Sequence, residues 1–147
     1  MSLPEFAEYF VTSFNPDTTR KDLFDNYQNY LADLNEILSY RFFQWIDGSF
    51  ITTKRNPKDI DLVSFVDHQD YEKSKKILEN RFSPQNVRET YKVDAYIAPR
   101  YPEDHRKYAI YHSDSLYWRN LFGKTRVNRA KRQFEKGIVQ LNFEQNG

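Results

Sequence analysis

WIDGSFITTKRNPKDIDL, residues Trp45–Leu62, is the stretch whose reading decides the fold. The apolar run Phe42 to Asp47 reads as a short strand, and Gly48-Ser49 as the turn that ends it. A polar loop follows as far as Asn56-Pro57, and a second strand opens on Asp59-Ile60-Asp61-Leu62. Successive side chains of a strand point to opposite faces, so Asp59 and Asp61 share one face while Ile60 and Leu62 bury the other. The strand continues through Val63, Phe65 and Val66 with apolar residues on both faces, the pattern of a central strand covered from both sides. A third acid, Asp94, lies inside the apolar run Tyr91–Ala98, YKVDAYIA, where a solvent-facing strand residue would usually be Lys or Thr. Three carboxylates on adjacent strands suit Mg²⁺, a hard cation that prefers oxygen ligands.

Working outward toward the N-terminus, Phe6, Phe10 and Phe14 recur every fourth position and predict a short helix over Glu5 to Phe14, closed by Asn15-Pro16. Asp17 or Thr18 can cap a longer helix reaching about Tyr40, because Leu23, Tyr27, Tyr30, Leu31, Leu34 and Leu38 form one apolar stripe. That helix is expected to cover one face of the sheet. Its many acids read as a solvated surface.

Toward the C-terminus, Gln69 to Phe82 predicts a charged helix with Tyr71, Leu78 and Phe82 facing inward, stopped by Ser83-Pro84. A short loop then leads to the strand of Asp94, which Pro99 and Pro102 end. Tyr108, Tyr111, Ser115, Trp118 and Phe122 mark the stripe of a further helix, with Gly123 as its cap. Lys124 to Lys136 reads as a basic loop, and Gly137 opens a last strand in which Val139, Leu141 and Phe143 alternate with Gln140 and Asn142. The expectation is an α+β fold with helices packed on a small mixed β-sheet. It is a single domain over residues 1–147: N-terminal helices over 1–40, a metal-site core over 41–98, and a C-terminal helix, basic loop and strand over 99–147.

Composition narrows the function classes. A formal charge of +1 excludes a chain that is basic throughout, so nucleic-acid affinity would need a local patch. No apolar run approaches the roughly 20 residues of a membrane span, and MSLPEFAEYF lacks the basic region of a signal peptide, so a cytoplasmic protein without membrane contact is expected. The absence of cysteine rules out disulfides and thiolate zinc sites. Aromatic residues make up 17% of the chain and are expected to build its core. His68, His105 and His112 have no spacing that pairs them with the acids, so they read as surface or packing residues.

Gly-Ser, nine residues, Asp-hydrophobic-Asp-hydrophobic and then a later strand Asp is a pattern that resembles the nucleotidyltransferase superfamily that includes DNA polymerase beta. The likeness extends to a small bacterial family related to it, through FVTSF (Phe10–Phe14), TRKDL (Thr19–Leu23), WIDGSF (Trp45–Phe50), DIDLV (Asp59–Val63), VDAY (Val93–Tyr96), YWRNLFG (Tyr117–Gly123) and KGIVQL (Lys136–Leu141). Two positions depart from the wider pattern: Asp47 where an apolar residue is usual, and Lys58 where a serine is common.

The resemblance implies a nucleotidyltransferase-like fold and an Mg²⁺- or Mn²⁺-dependent enzyme. Such an enzyme moves a nucleoside monophosphate from a nucleoside triphosphate onto a hydroxyl of a protein, RNA or small-molecule acceptor. Asp59, Asp61 and Asp94 would be both metal ligands and catalytic residues. Gly48 and Ser49 would meet the phosphates, with Lys54, Arg55, Arg126 and Lys136 as candidates for neutralising their charge. An alternative is a nucleotidyltransferase-like module that binds a nucleotide or a partner protein without catalysis, as in a toxin–antitoxin or defence pair. A third reading is an RNA binder that uses the basic run from Arg119 to Lys136 with Tyr and Trp stacking. That run reads first as a solvated loop or a nucleotide-phosphate contact, and only second as a nucleic-acid groove.

Overall fold

The computed structural model describes residues 1–39, 41–122 and 138–143. Four strands, β1 (Phe42–Asp47), β2 (Asp61–Asp67), β3 (Asp94–Arg100) and β4 (Val139–Phe143), form one sheet in the order β3-β2-β1-β4. β1 runs antiparallel to both β2 and β4, whereas β2 and β3 are parallel, so the sheet is mixed. The period-2 pattern of each strand then assigns two faces. Phe42, Ile46, Leu62, Val66, Ala95 and Leu141 point to one side and join the main core. Trp45, Val63, Phe65 and Ala98 point to the other.

Helix α2 (Arg20–Leu38) covers the first face, presenting Leu23, Phe24, Tyr27, Tyr30, Leu31, Leu34 and Leu38 at three- and four-residue spacing. Each such side chain gains about 1.5–3 kcal/mol from burial, which makes this face the main source of stability. Three polar groups are buried within it: Tyr27 donates to the Gln44 side-chain oxygen, and Gln44 Nε2 donates to Ser64 Oγ at 3.0 Å. The opposite face is covered by a C-terminal helix, Tyr108–Phe122, whose Tyr111 and Trp118 pack on Trp45, Phe65 and Tyr96. β2 is thus central and doubly covered, as its two-faced apolar pattern predicts. β4 shows the expected alternation: Leu141 is buried, and exposed Gln140 accepts the Trp45 indole N–H at 2.9 Å.

Several boundaries differ from the expectation. The first helix is only α1 (Leu3–Ala7), followed by a π-helical turn over Glu8–Thr12. α2 starts at Arg20 rather than after Asp17 or Thr18, because Asp17 pairs with Arg55 and the Thr19 hydroxyl donates to the Pro57 carbonyl instead of capping. Helix 69–82 is broken at Ser74 into α3 (His68–Lys73) and α4 (Lys75–Asn80). The short loop expected before Asp94 is instead a helix, α5 (Pro84–Tyr91). Ser83-Pro84 is its start, with the Ser83 hydroxyl accepting the Asn86 N–H and Pro84 in the first turn, where a missing N–H costs nothing. Lys92, at φ 60°, closes it, so Tyr91 ends a helix and does not open a strand. The last helix, α6, is Tyr108–Phe122. Pro99 does not end β3: it lies within the strand, which is tolerated because β3 is at the sheet edge. Gly123, the basic loop and Gly137 lie outside the described residues.

Candidate functional site

Strand register gathers the acids. Asp61 stands opposite Asp47 in the antiparallel β1–β2 ladder and beside Asp94 in the parallel β2–β3 ladder. Three carboxylates therefore form a row, Asp94–Asp61–Asp47, across neighbouring strands at one end of the sheet. Asp59 is not a strand residue as expected: β2 begins at Asp61, and Asp59 is exposed in the segment just before it. It still acts on the row, since its charge is felt by Asp61.

Asp61 is the crowded member. Burial, then its hydrogen bond to Asp94 and the negative charges of Asp59, Asp94 and Asp47, push its carboxyl up to about 8. This crowding favours the protonated form of the Asp61 carboxyl. Its carboxylate also explains Gly48. That residue sits at φ 85°, and a β-carbon there would lie 2.1 Å from Asp61 Oδ2. The glycine is required so that Asp61 can lie against the turn, which is a different reason from close approach by a phosphate. Ser49 begins the short 3₁₀ turn Ser49–Ile51, its carbonyl accepting the Thr52 hydroxyl at 2.6 Å.

The loop between turn and acids is held by α2. Arg20, wholly buried, donates from Nη1 to the carbonyls of Phe10 (2.8 Å) and Phe50 (2.5 Å), and from Nη2 to those of Thr52 (2.7 Å) and Lys54 (2.6 Å). The Phe14 ring lies 3.7 Å from its guanidinium carbon. Thr19 adds a bond from its N–H to the Asn56 side chain at 3.1 Å. Lys54 and Arg55 are exposed on this loop, with Arg55 paired to Asp17 at 2.6 Å. Arg126 and Lys136 lie outside the described residues.

Three further residues shape the candidate site. Asp47, a departure from the superfamily pattern, is buried and directly opposite Asp61. The signal was a carboxylate closing the otherwise apolar run of β1. Arg88 on α5 pairs with Asp94 at 2.8 Å, and finding it required knowing that α5 exists. Arg20 lay in view but showed no sign of burial.

The donor set consists of carboxylate oxygens, which fits a hard divalent cation. Asp61 and Asp94 would hold it, with Asp59 and Asp47 beside them. As the side chains stand, no three acids or histidines among the described residues converge on one point.

Fold and site define a mixed α+β protein with a row of carboxylates at one end of a four-stranded sheet. The chain belongs to the family described as "Family of unknown function (DUF6932)", whose model matches residues 1–142. The comparisons with curated proteins and with solved structures return no match. Among the described residues, no helix is long and apolar enough to cross a membrane.

Proposed function

We propose that this protein is an Mg²⁺- or Mn²⁺-dependent nucleotidyltransferase that moves a nucleoside monophosphate from a nucleoside triphosphate onto an acceptor hydroxyl of a protein, RNA or small molecule. One observation carries the reading. Gly48, Asp61 and Asp94, picked out by spacing in the sequence, meet at one point of the sheet, with the Asp61 carboxylate against Gly48 and beside Asp94. The resemblance to the nucleotidyltransferase superfamily, and a mixed sheet in which β1 is antiparallel and β3 parallel to β2, support it.

In the reaction the acceptor oxygen attacks the α-phosphorus, the bond to the β-phosphate breaks, and pyrophosphate leaves. A divalent cation bound by Asp61 and Asp94 would offset the charge that builds on the attacking and leaving oxygens. Asp94 is placed at the rim, half-buried, where a carboxylate can take the acceptor's proton once Arg88 has moved away. Ser49 and the backbone amides after Gly48 supply donors for phosphate oxygens. Exposed Lys54 and Arg55 are free to swing toward the triphosphate, Arg55 by giving up Asp17. Arg20 holds the carbonyls of that loop inward and so sets where its side chains emerge.

The test is transfer of label from α-phosphate-labelled ATP, GTP, CTP and UTP into cell extract with Mg²⁺ or Mn²⁺, comparing wild type with Asp61→Asn. Label in protein or RNA that disappears in the variant supports the enzyme. Transfer that persists in Asp61→Asn refutes the site.

A second reading has an observation in its favour. Arg88 already neutralises Asp94 at 2.8 Å, so the row can persist as a structural or binding element without a cation. A module that binds nucleotide or a partner protein without catalysis would retain nucleotide affinity and release no pyrophosphate.

A further inference from the structure

The end of the sheet away from the carboxylates carries a second row, built by the same register. Asp67 stands beside Arg100 in the β2–β3 ladder, and its N–H donates to the Arg41 carbonyl at 3.4 Å. Arg41, one residue before β1, therefore lines up with Asp67 and Arg100 at this end of the sheet, the three lying six residues along from Asp47, Asp61 and Asp94 respectively. At about 3.3 Å per residue the two rows are about 20 Å apart. Whatever binds here is separate from the acidic end.

A cavity of about 590 Å³ opens beside this row, within the range of about 300–1,000 Å³ usual for small-molecule sites. Two guanidinium groups stand here against two carboxylates, Asp67 and Asp70, so an anion depends on which cation is left without an ion pair. Asp67 Oδ1 is already engaged in capping α3 through the Gln69 N–H at 3.0 Å. Arg41 shares its charge with Asp70 at 2.9 Å. Arg100 has no carboxylate partner among the described residues. Its guanidinium carbon lies 5.5 Å from the centroid of the Phe43 ring, which puts a cation without a carboxylate partner beside an aromatic surface. The rest of the lining is mixed: half-buried Phe43 offers ring surface beside Arg100, and Ser39 and Asn142 offer hydrogen-bonding groups. An anionic head, a polar middle and a flat apolar part are the features of one ligand class.

We propose that this pocket binds a nucleoside monophosphate. Its phosphate lies on Arg41 and Arg100, its base against Phe43, and its sugar hydroxyls toward Asp67, Ser39 and Asn142. The site does not depend on the reading of the acidic end, and it needs no divalent cation.

Isothermal titration calorimetry with AMP, GMP, CMP and UMP in the presence of EDTA tests it, with inorganic phosphate and adenosine as part-ligands. Wild type should bind at least one of the monophosphates saturably. Phosphate alone and the matching nucleoside should each bind at least tenfold more weakly. Arg41→Gln/Arg100→Gln should weaken binding at least tenfold, with each single variant between, while Asp61→Asn stays within about twofold of wild type. Arg41 is exposed and Arg100 half-buried, and the variants are checked for unchanged circular dichroism. The proposal is overturned by any of four results: no saturable binding of any monophosphate, phosphate binding as tightly as the nucleotide, full affinity in the double variant, or loss of affinity in Asp61→Asn.

Discussion

Replacing Gly48 with alanine perturbs the acidic row at the point where turn and carboxylate touch. Gly48 has φ 85° and ψ −169°, a region nearly reserved for glycine, where another residue costs about 1–3 kcal/mol. The new methyl would also stand 2.1 Å from Asp61 Oδ2 and 3.1 Å from its Cγ, so the carboxylate has to turn away. Leaving its rotamer costs about 0.5–1.5 kcal/mol. Loss of the hydrogen bond to Asp94 adds about 1 kcal/mol. The sum is about 2.5–5.5 kcal/mol, or a fall of roughly 5–20 °C in Tm for a chain of this length. The two parts separate in a double-mutant cycle. Asp61→Ala removes Cγ and both oxygens but keeps Cβ, whose 3.5 Å approach is an ordinary contact, so in that background only the backbone cost remains. Urea denaturation followed by circular dichroism at neutral pH should give a coupling of about 1.5–2.5 kcal/mol between the two sites. A coupling below about 0.3 kcal/mol, or Gly48→Ala as stable as wild type, would refute the claim that Asp61 requires this glycine.

Three further expectations concern the same site. Asp61 has its carboxyl raised from 3.8 to about 8 in the folded chain, so folding takes up a proton: its stabilising contribution is complete below about pH 4 and is lost as the pH rises to about 8. Asp61→Asn should therefore gain in Tm on wild type across that window, and an equal difference at all pH values would contradict the crowded row. Arg20→Met removes the donor from four carbonyls and should destabilise by about 3–5 kcal/mol in urea melts, with loss below about 1 kcal/mol counting against its role in holding the loop. Titration of free Mn²⁺ by electron paramagnetic resonance should show Arg88→Gln binding the ion several-fold more tightly and Asp94→Asn several-fold more weakly, because Arg88 competes for Asp94. Unchanged binding in both variants would remove Asp94 from the cation site.

What the sequence by itself determined is what repeats within a segment. β1 is bounded as read, from the apolar run that Gly48 ends, and the alternation in β4 assigned Leu141 inward and Gln140 outward. The Leu23-to-Leu38 stripe of α2 and the two-faced apolar pattern of β2 were legible for the same reason: side-chain direction follows from the local period of 3.6 or 2. Where one residue type has two local meanings, the reading failed. Pro84 stops one helix but also starts the next, and Pro99 ends a central strand but is accepted in an edge strand.

Only the tertiary structure decided which segments are neighbours and in what register. The order β3-β2-β1-β4 aligns Asp94 with Asp61 and Asp47, and by the same register aligns Arg100 with Asp67 and Arg41. It also decided that Arg88 reaches Asp94 and that Arg20 is buried against a loop about thirty residues away. No local pattern encodes these pairings. A strand's period says which face a side chain takes, while register is chosen by which alignment lets α2 and α6 pack both faces at once. The acids were visible as letters, but that packing made them a row.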